Sequence, residues 1–433
     1  MDGIREFILY RNLDDSNLFS RFVALMAHTK KDCKKKEKMS KEFYKCLHEL
    51  LAFAADYGFW GNLWQVYLTY LLVNHENPYS RACEIRGKAQ GTLVEAAQHD
   101  FALLKEVFDF DLSMFEEAYG VFGVEMIADF KGDLSSAKML NQRMIKRILA
   151  LSLQLKEAED ETAFLHAVTQ FYQDFGTGKI GLHKAFRIEH TKKGAVIVPI
   201  TNIADVRLND LTGYEFAKKK LMDNTDAFVK GKKANNCLLF GDAGTGKSTS
   251  IKAVANQYYE NGLRIIELYK HQFQDLHDVI AQIKNRNYKF IIYMDDLSFE
   301  DFEIEYKYLK AVIEGGLEKK PDNILIYATS NRRHLIRENF SDKPSLSDDL
   351  HNNDTVQEKL SLAARFGVQI YFGAPDKKQY GQIVTALAKK HQISMEEEEL
   401  LARAGKWELS HGGRSGRTAQ QFIDHLLGKE GCE

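Results

Sequence analysis

The sequence predicts an α/β fold with a five-stranded parallel sheet and helices on both faces, preceded by an all-helical region. Two observations support this. Before about residue 174, helix-forming residues dominate and apolar residues recur at helical spacing. From about residue 208, short apolar runs alternate with helical segments, which is typical of a parallel sheet. We therefore expect a helical domain at 1–180, a hairpin linker at 181–207, an α/β core at 208–374 and a helical lid at 375–433.

Two stripes of apolar residues support the helical region. Tyr44, Leu47, Leu51 and Ala54 form the first stripe. The second stripe contains the aromatic residues Trp60, Trp64 and Tyr67, followed by Leu71. Such a stripe can line a cofactor pocket, but a core between helices is the favoured interpretation.

A hairpin is predicted between the two halves. Residues 185–190 and 195–200 alternate and are rich in β-formers, with a polar turn between them. Residues 176–179 read Gly-Thr-Gly-Lys, but no strand precedes them and no Ser or Thr follows the lysine. We interpret this stretch as a linker turn.

The five predicted strands of the core are 236–240, 264–268, 290–294, 324–328 and 368–372. In open parallel sheets, ligands bind outside the carboxyl ends of the strands. The polar, acidic segment 341–355 is predicted to be a mobile loop.

Composition excludes several classes of protein. The 433 residues carry a net charge of −2, so no global field favours nucleic acid. The basic run at 30–38 lacks interleaved aromatic residues, which favours a solvated segment. The five cysteines are scattered without a Cys-x-x-Cys pair, which predicts reduced thiols and no zinc site. No signal pattern or membrane span is predicted, so we expect a cytoplasmic protein.

A phosphate-binding loop lies between the first core strand and a helix predicted at 249–259. It matches G-x-x-x-x-G-K-[ST] at every position and consists of Gly241, Asp242, Ala243, Gly244, Thr245, Gly246, Lys247 and Ser248, with Thr249 following. Glycines let successive backbone N–H groups surround an anion, and the helix N-terminus adds its positive dipole end. Lys247 can reach the β- and γ-phosphates, and the Ser248 hydroxyl can bind Mg²⁺. The pattern predicts nucleotide binding.

Polar residues follow two further strands. Asp295 at the end of one strand can hold Mg²⁺, and Asp296 can orient or deprotonate an attacking water. Many ATPases carry glutamate at the second position, so the shorter aspartate allows slow hydrolysis. Glu300 is a backup base, but the favoured interpretation places it in the first turn of a helix capped by Ser298. Asn331, after the strand 324–328, can sense the γ-phosphate and help to place the water.

Together these features resemble an AAA+ ATPase. Residues 208–215 are similar to the segment that packs beside adenine in that superfamily. Residues 362–367, Leu-Ala-Ala-Arg-Phe-Gly, resemble the arginine-finger region of replication initiators, with alanine where that form has serine. The resemblance implies that Arg365 acts in trans on ATP held by a neighbouring subunit, and hence that the protein is a homo-oligomer. It also implies a lid arginine that contacts the γ-phosphate, with Arg417 as first choice and Arg414 as second.

More narrowly, several runs resemble an uncharacterised prokaryotic ATP-binding family catalogued only as a domain of unknown function. They include Asp-Asp-Leu-Ser-Phe-Glu at 295–300, Ala-Thr-Ser-Asn-Arg-Arg at 328–333 and Gly-Gly-Arg-Ser-Gly-Arg at 412–417. This family implies a fold and ATP binding without a known cellular task.

The function expected from the sequence is Mg²⁺-dependent ATP hydrolysis coupled to remodelling or loading of an unknown protein client. The guanine signature Asn-Lys-x-Asp is absent, which favours ATP over GTP. No aromatic–glycine pore loop, helix-turn-helix or zinc-finger signature is present, so polypeptide threading and nucleic-acid binding lack support. Two alternatives stay open: a nucleotide-gated binding module with negligible hydrolysis, and a small-molecule phosphotransferase.

Overall fold

The computed structural model describes the chain except residues 1–5, 12, 14–16, 30–35, 133–141, 193, 202, 300–304, 315–320, 333–334, 336–361 and 431–433. Glu300, the predicted mobile loop 341–355 and most of the basic run 30–38 therefore lie outside the described residues. The chain forms two compact units, residues 1–183 and 184–433.

The described residues of the first unit form helices joined by loops, with one antiparallel bridge between Gly61 and Phe130. Its helices are α1 (Leu18–Thr29), α2 (Lys36–Tyr57), α3 (Leu63–Asn74), α4 (Pro78–Arg86), α5 (Thr92–Phe108), α6 (Met114–Tyr119), α7 (Val124–Ala128), α8 (Gln142–Glu157), α9 (Glu161–Phe175) and α10 (Gly178–Leu182). Asn77 and Ser80 form a reciprocal capping box at the start of α4, next to Pro78. These local signals define where α4 begins.

Trp64, Tyr67 and Leu71 of α3 lie in the core of this unit, as predicted, and Trp60, which precedes the helix, is partly buried against that core. Trp64 is fully buried and stacks on Phe22 with a centroid distance of 4.2 Å. Its indole N–H donates to the carbonyl oxygen of Val107 at 2.9 Å. A buried, hydrogen-bonded tryptophan among aromatic rings is a packing element. The cofactor-pocket alternative is not needed to explain it.

The Gly-Thr-Gly-Lys stretch at 176–179 has a structural role. Thr177 is fully buried, and its backbone N–H donates to Glu84 Oε2 at 3.2 Å. This contact joins the turn before α10 to α4.

The second unit contains a mixed sheet that has seven strands within the described residues. They are β1 (Ala185–Thr191), β2 (Gly194–Pro199), β3 (Cys237–Gly241), β4 (Leu263–Glu267), β5 (Lys289–Met294), β6 (Ile324–Ser330) and β7 (Val368–Phe372). Their order across the sheet is β2-β1-β4-β5-β6-β3-β7. The five predicted core strands all pair in parallel, which confirms that part of the fold prediction.

The hairpin belongs to this sheet, which corrects both the strand count and its description as a linker. β1 pairs in parallel with β4, with Ala185 opposite Ile265, and β2 pairs antiparallel with β1. Alternation identifies each strand locally but carries no information about its partner across the sheet. The predicted linker at 181–207 thus supplies two strands at one edge.

Helices α11 (Glu215–Val229), α12 (Lys247–Tyr258), α13 (Leu276–Ile283) and α14 (Glu305–Glu314) connect or flank the strands. α12 begins two residues earlier than predicted, directly at Lys247. One face of the sheet packs against α11 and α12 in a cluster that includes Leu239, Ile291, Leu325 and Ile251. Cys237 is fully buried in the same cluster, as predicted for a core residue.

Three helices follow β7: α15 (Lys377–Lys390), α16 (Glu397–Ser410) and α17 (Gly416–Glu430). They lie in the segment predicted to be a lid and share a separate buried cluster that includes Tyr380, Val384, Leu400 and Phe422. Asp376 caps α15 through a reciprocal bond pair with Gln379. Among the described residues, no helix is long and apolar enough to cross a bilayer.

Candidate functional site

The phosphate-binding loop follows β3, which lies between β6 and β7 in the sheet. Gly241 has a φ of 134°, and a Cβ atom there would lie 2.1 Å from the carbonyl oxygen of Phe372. Gly246 has a φ of 92° immediately before α12. Only glycine fits both positions without strain. The loop therefore leads directly into the N-terminus of α12, where the first backbone N–H groups of a helix can bind an anion.

Lys247 is folded back onto its own loop. Its ammonium donates to the carbonyl oxygens of Gly241 (2.9 Å) and Asp242 (2.6 Å), and to Asn331 Oδ1 (3.0 Å). Lys247 is 7% exposed, and burial lowers the pKa of its ammonium, while nearby carboxylates, Asp242 first, partly oppose this shift. Two of its three partners are neutral carbonyl oxygens of the loop, so the positive charge is not neutralised by them. Phosphate oxygens can replace these carbonyl oxygens as acceptors.

Ser248 and Asp295 meet at the start of α12. Ser248 Oγ donates to Asp295 Oδ1 at 2.7 Å, and the hydroxyl of Thr329 donates to the same oxygen. Burial disfavours the ionised form of Asp295, but its hydrogen bonds, that from Thr329 first, outweigh burial and lower its pKa below the ordinary 3.8. The carboxylate is therefore kept charged beside a serine hydroxyl.

Asp296 and Asn331 lie side by side. Asp296 adopts a φ of 49°, a left-handed conformation that aspartate and asparagine tolerate better than most residues. Its backbone N–H donates to Thr329 Oγ1 at 2.9 Å, and Asn331 Nδ2 donates to Asp296 Oδ1 at 2.8 Å. These contacts hold the second carboxylate next to the end of β6.

Five hydrogen bonds, together with the peptide bond between Lys247 and Ser248, close a ring that links the loop with the ends of β5 and β6. It runs through Lys247, Asn331, Asp296, Thr329, Asp295 and Ser248. Thr329 was not among the predicted site residues, although its hydroxyl joins both aspartates. Thr329 directly follows the apolar run 324–328, which indicated only the end of a strand. A polar residue one position past that run was the available signal.

The ring lines one wall of a cleft of about 700 Å³. Residues upstream of α11 line another wall, among them Leu211, Thr212 and Tyr214, which belong to the segment 208–215. Ile383, Leu387 and Lys390 of α15 line the cleft from the lid, and sequence reasoning missed them. A cleft lined both by charged and polar groups of the loop and by apolar side chains suits a ligand that has a charged part and an apolar part, as a nucleotide does.

The two lid arginines occupy different environments. Arg417 lines the cleft, and its backbone N–H donates to the carbonyl oxygen of Gly244 in the loop at 3.2 Å. Arg414 instead pairs with Glu408 through two bonds of 3.0 and 2.8 Å. Of the two, the structure brings Arg417 to the phosphate loop.

Arg365 is a predicted catalytic residue that the structure does not bring to the cleft. It lies in the turn before β7, whose first residue pairs with Cys237, whereas the loop follows the other end of β3. The five residues of β7 span about 13 Å, further than an arginine side chain reaches. Arg365 therefore lies at the amino ends of the parallel strands, whereas the phosphate loop of its own chain lies at their carboxyl ends.

The oxygen groups of Ser248 and Asp295 suit Mg²⁺. This ion prefers hard oxygen ligands, and it usually takes one or two protein groups together with waters and phosphate oxygens. The short Ser248–Asp295 contact, with the loop N–H groups beside it, matches that requirement. The residues present thus fit a Mg²⁺ ion that arrives with a nucleotide.

Comparisons with known proteins extend this description. The family model described as "Protein of unknown function (DUF815)" matches residues 181–430, which is 250 of the 433 residues. The chain is similar to the Replication factor C large subunit of Methanococcus vannielii, with 37% identity over 76 residues, 18% of this chain and 15% of that protein. It is also similar to the Replication factor C large subunit of Staphylothermus marinus, with 32% identity over 74 residues, 17% of each chain. It thus spans less than a fifth of the length of these relatives.

Among solved structures, the chain is similar to the Thermotoga maritima RuvB Holliday junction branch migration motor. The TM-score is 0.33 at 14% sequence identity, and the alignment covers 51% of this chain and 72% of that chain.

Proposed function

We propose that this chain, which belongs to the family described as "Protein of unknown function (DUF815)", is an AAA+ ATPase that binds ATP with Mg²⁺ and hydrolyses it to ADP and phosphate. The observation that carries the proposal is the set of five hydrogen bonds that links Lys247 and Ser248 of the phosphate loop with the residues after β5 and at the end of β6. It gathers an ammonium, a serine hydroxyl, two carboxylates and an amide into one cleft. These are the groups that phosphoryl transfer needs, since its catalysis depends on positioning and on charge stabilisation.

Each group has a role that follows from its contacts. Lys247 exchanges its loop carbonyls for phosphate oxygens, and the N-terminus of α12 supplies N–H donors to the same phosphates. Ser248 and Asp295 hold Mg²⁺, which supplies charge neutralisation at the phosphates when it is bound. Arg417 approaches the γ-phosphate from the lid.

Asp296 orients and deprotonates the attacking water. Asn331 supports this role, because it donates to the Asp296 carboxylate while it accepts from Lys247. The Asn331 amide would therefore lose its hydrogen bond from Lys247 when the lysine binds a γ-phosphate, and this change would reach Asp296.

Hydrolysis is proposed to drive remodelling or loading of a protein client, in an oligomer in which Arg365 completes the site of a neighbouring copy. The protein would act in the cytoplasm. The similarity to replication factor C subunits covers less than a fifth of this chain, so we do not propose nucleic acid as the client.

One alternative has a specific observation in its favour. Aspartate at position 296 is one methylene shorter than glutamate, and its carboxylate is already engaged by Asn331. A nucleotide-gated binding module would bind ATP, hydrolyse it negligibly and hold a partner while ATP is bound.

The test compares ATP turnover and ATP binding in the wild type and Asp296→Asn. Asparagine tolerates the left-handed backbone at this position, so the change removes the charge without straining the turn. We expect turnover to fall about 100-fold or more, with the dissociation constant for ATP unchanged within about threefold. Asp226→Asn, which removes a surface partner of Lys230, is the matched control and should leave both quantities unchanged. Equal turnover in the wild type and Asp296→Asn would favour the binding module.

A further inference from the structure

Tyr293 carries a hydroxyl that none of the proposed roles uses. The residue lies on β5, is 3% exposed, and belongs to the buried cluster that contains Ile251 and Val254 of α12. Its hydroxyl oxygen is buried and has no hydrogen-bond partner among the described residues. An unpartnered buried hydroxyl destabilises a fold, and phenylalanine would fill the same space without that loss. Packing alone therefore does not account for tyrosine here.

The hydroxyl faces the proposed metal ligands. Side chains two residues apart on a strand point to the same face, and Tyr293 precedes Asp295 by two residues. Burial, followed by the negative charge of Asp295, raises the pKa of Tyr293. The nearby hydroxyls of Ser248 and Thr329 lower this pKa and so partly oppose the shift. The tyrosine hydroxyl thus lies beneath the junction of β5, β6 and the start of α12.

The short hydroxyl contacts to the Asp295 carboxylate involve one of its two oxygens. Both short hydroxyl contacts, from Ser248 and Thr329, end on Oδ1. A carboxylate that also binds a cation must keep a fixed orientation while the cation attracts it. A further neutral donor below the carboxylate can supply that restraint without repelling the cation.

We propose that Tyr293 is a positioning residue of the metal site, whose hydroxyl donates to the Asp295 carboxylate when nucleotide and Mg²⁺ are bound and lacks this partner in the nucleotide-free protein. The inference rests on the proposed function, because it requires Asp295 to hold the metal. A donor that is unsatisfied in one state and satisfied in the other shifts the equilibrium toward the second state. Tyr293 therefore contributes to the affinity gained with Mg²⁺ and contributes nothing favourable to the free fold.

The test uses full-length Tyr293→Phe, which removes only the hydroxyl. A non-hydrolysable ATP analogue is titrated by calorimetry in MgCl₂ and, separately, in EDTA. The wild type should bind the analogue more tightly in MgCl₂ than in EDTA. In Tyr293→Phe the ratio of these two affinities should be about tenfold smaller, as expected for the loss of one hydrogen bond to a charged acceptor. Affinity in EDTA should be unchanged, and the thermal midpoint of the nucleotide-free variant should be equal to or above that of the wild type.

Tyr327→Phe is the matched control. Tyr327 is a buried tyrosine on the neighbouring strand β6, and its hydroxyl is hydrogen-bonded to Thr225 (2.9 Å) and Asn224 (3.0 Å). Its loss should produce the opposite pattern, with a lower thermal midpoint and an unchanged gain from MgCl₂.

The outcomes separate the two hypotheses. If the wild type gains affinity in MgCl₂ and Tyr293→Phe gains as much, the inference is overturned while the proposed function stands. If the wild type binds the analogue equally in MgCl₂ and EDTA, the metal role of Asp295 fails and the inference fails with it. If the wild type does not bind the analogue at all, the proposed function itself fails.

Discussion

Lys247 shows how a single residue is prepared for its ligand. Its ammonium is buried and is held by carbonyl oxygens rather than by a carboxylate. Such bonds satisfy the donors without neutralising the charge, so a triphosphate brings compensation that the free protein lacks. The lowered pKa of this lysine reflects the same incomplete compensation.

The pH dependence of ATP affinity follows from that shift. Only the ammonium form attracts phosphate, so affinity should fall as pH rises through the lowered pKa of Lys247. We expect the decline to begin below 10.5, the ordinary lysine value, in calorimetric titrations at increasing pH. An affinity that stays constant up to that pH would show that Lys247 does not govern binding.

At the scale of elements, sequence patterns predicted the strands because each is a short apolar run with polar ends. They predicted Asp295, Asp296 and Asn331 for the same reason, since polar residues after parallel strands meet at one edge. Pairing of β1 with β4 was not predictable, because no local signal specifies a distant partner. The sequence also could not predict the unpartnered hydroxyl of Tyr293 or the role of Thr329, because both depend on neighbours from other elements.

The lid makes the choice between two arginines testable. Arg417→Ala should lower ATP turnover about 10-fold to 100-fold without changing the thermal stability of the nucleotide-free protein, because the side chain lines the cleft. Arg414→Ala should instead lower thermal stability, because it leaves the largely buried Glu408 without its partner. Turnover assays and melting curves of both variants check this assignment, and the reverse pattern would transfer the sensor role to Arg414.

At the scale of the whole molecule, the cleft is lined by predicted groups that include Lys247, Asp296 and Arg417, but not by Arg365. A second copy can supply that residue if the amino ends of its parallel strands, where Arg365 lies, face the cleft of its neighbour. The sequence resemblance predicted this arrangement.

Mixing experiments can test action in trans. Arg365→Ala should bind ATP normally and hydrolyse it slowly. Asp296→Asn should also be inactive alone, yet a mixture of the two variants should recover turnover at sites that combine an intact Asp296 with an intact Arg365. If no mixing ratio restores turnover, a structural role for Arg365 beside β7 becomes the better explanation.

The central claim is that the phosphate loop and the ammonium of Lys247 bind the triphosphate of ATP. The most direct measurement is calorimetric titration of ATP and Mg²⁺ into the wild type, Lys247→Ala and Lys252→Ala, the last being an exposed lysine on the same helix. We expect saturable binding to the wild type and to Lys252→Ala, and none to Lys247→Ala. Equal affinity in all three proteins, or no binding to the wild type, would contradict the claim.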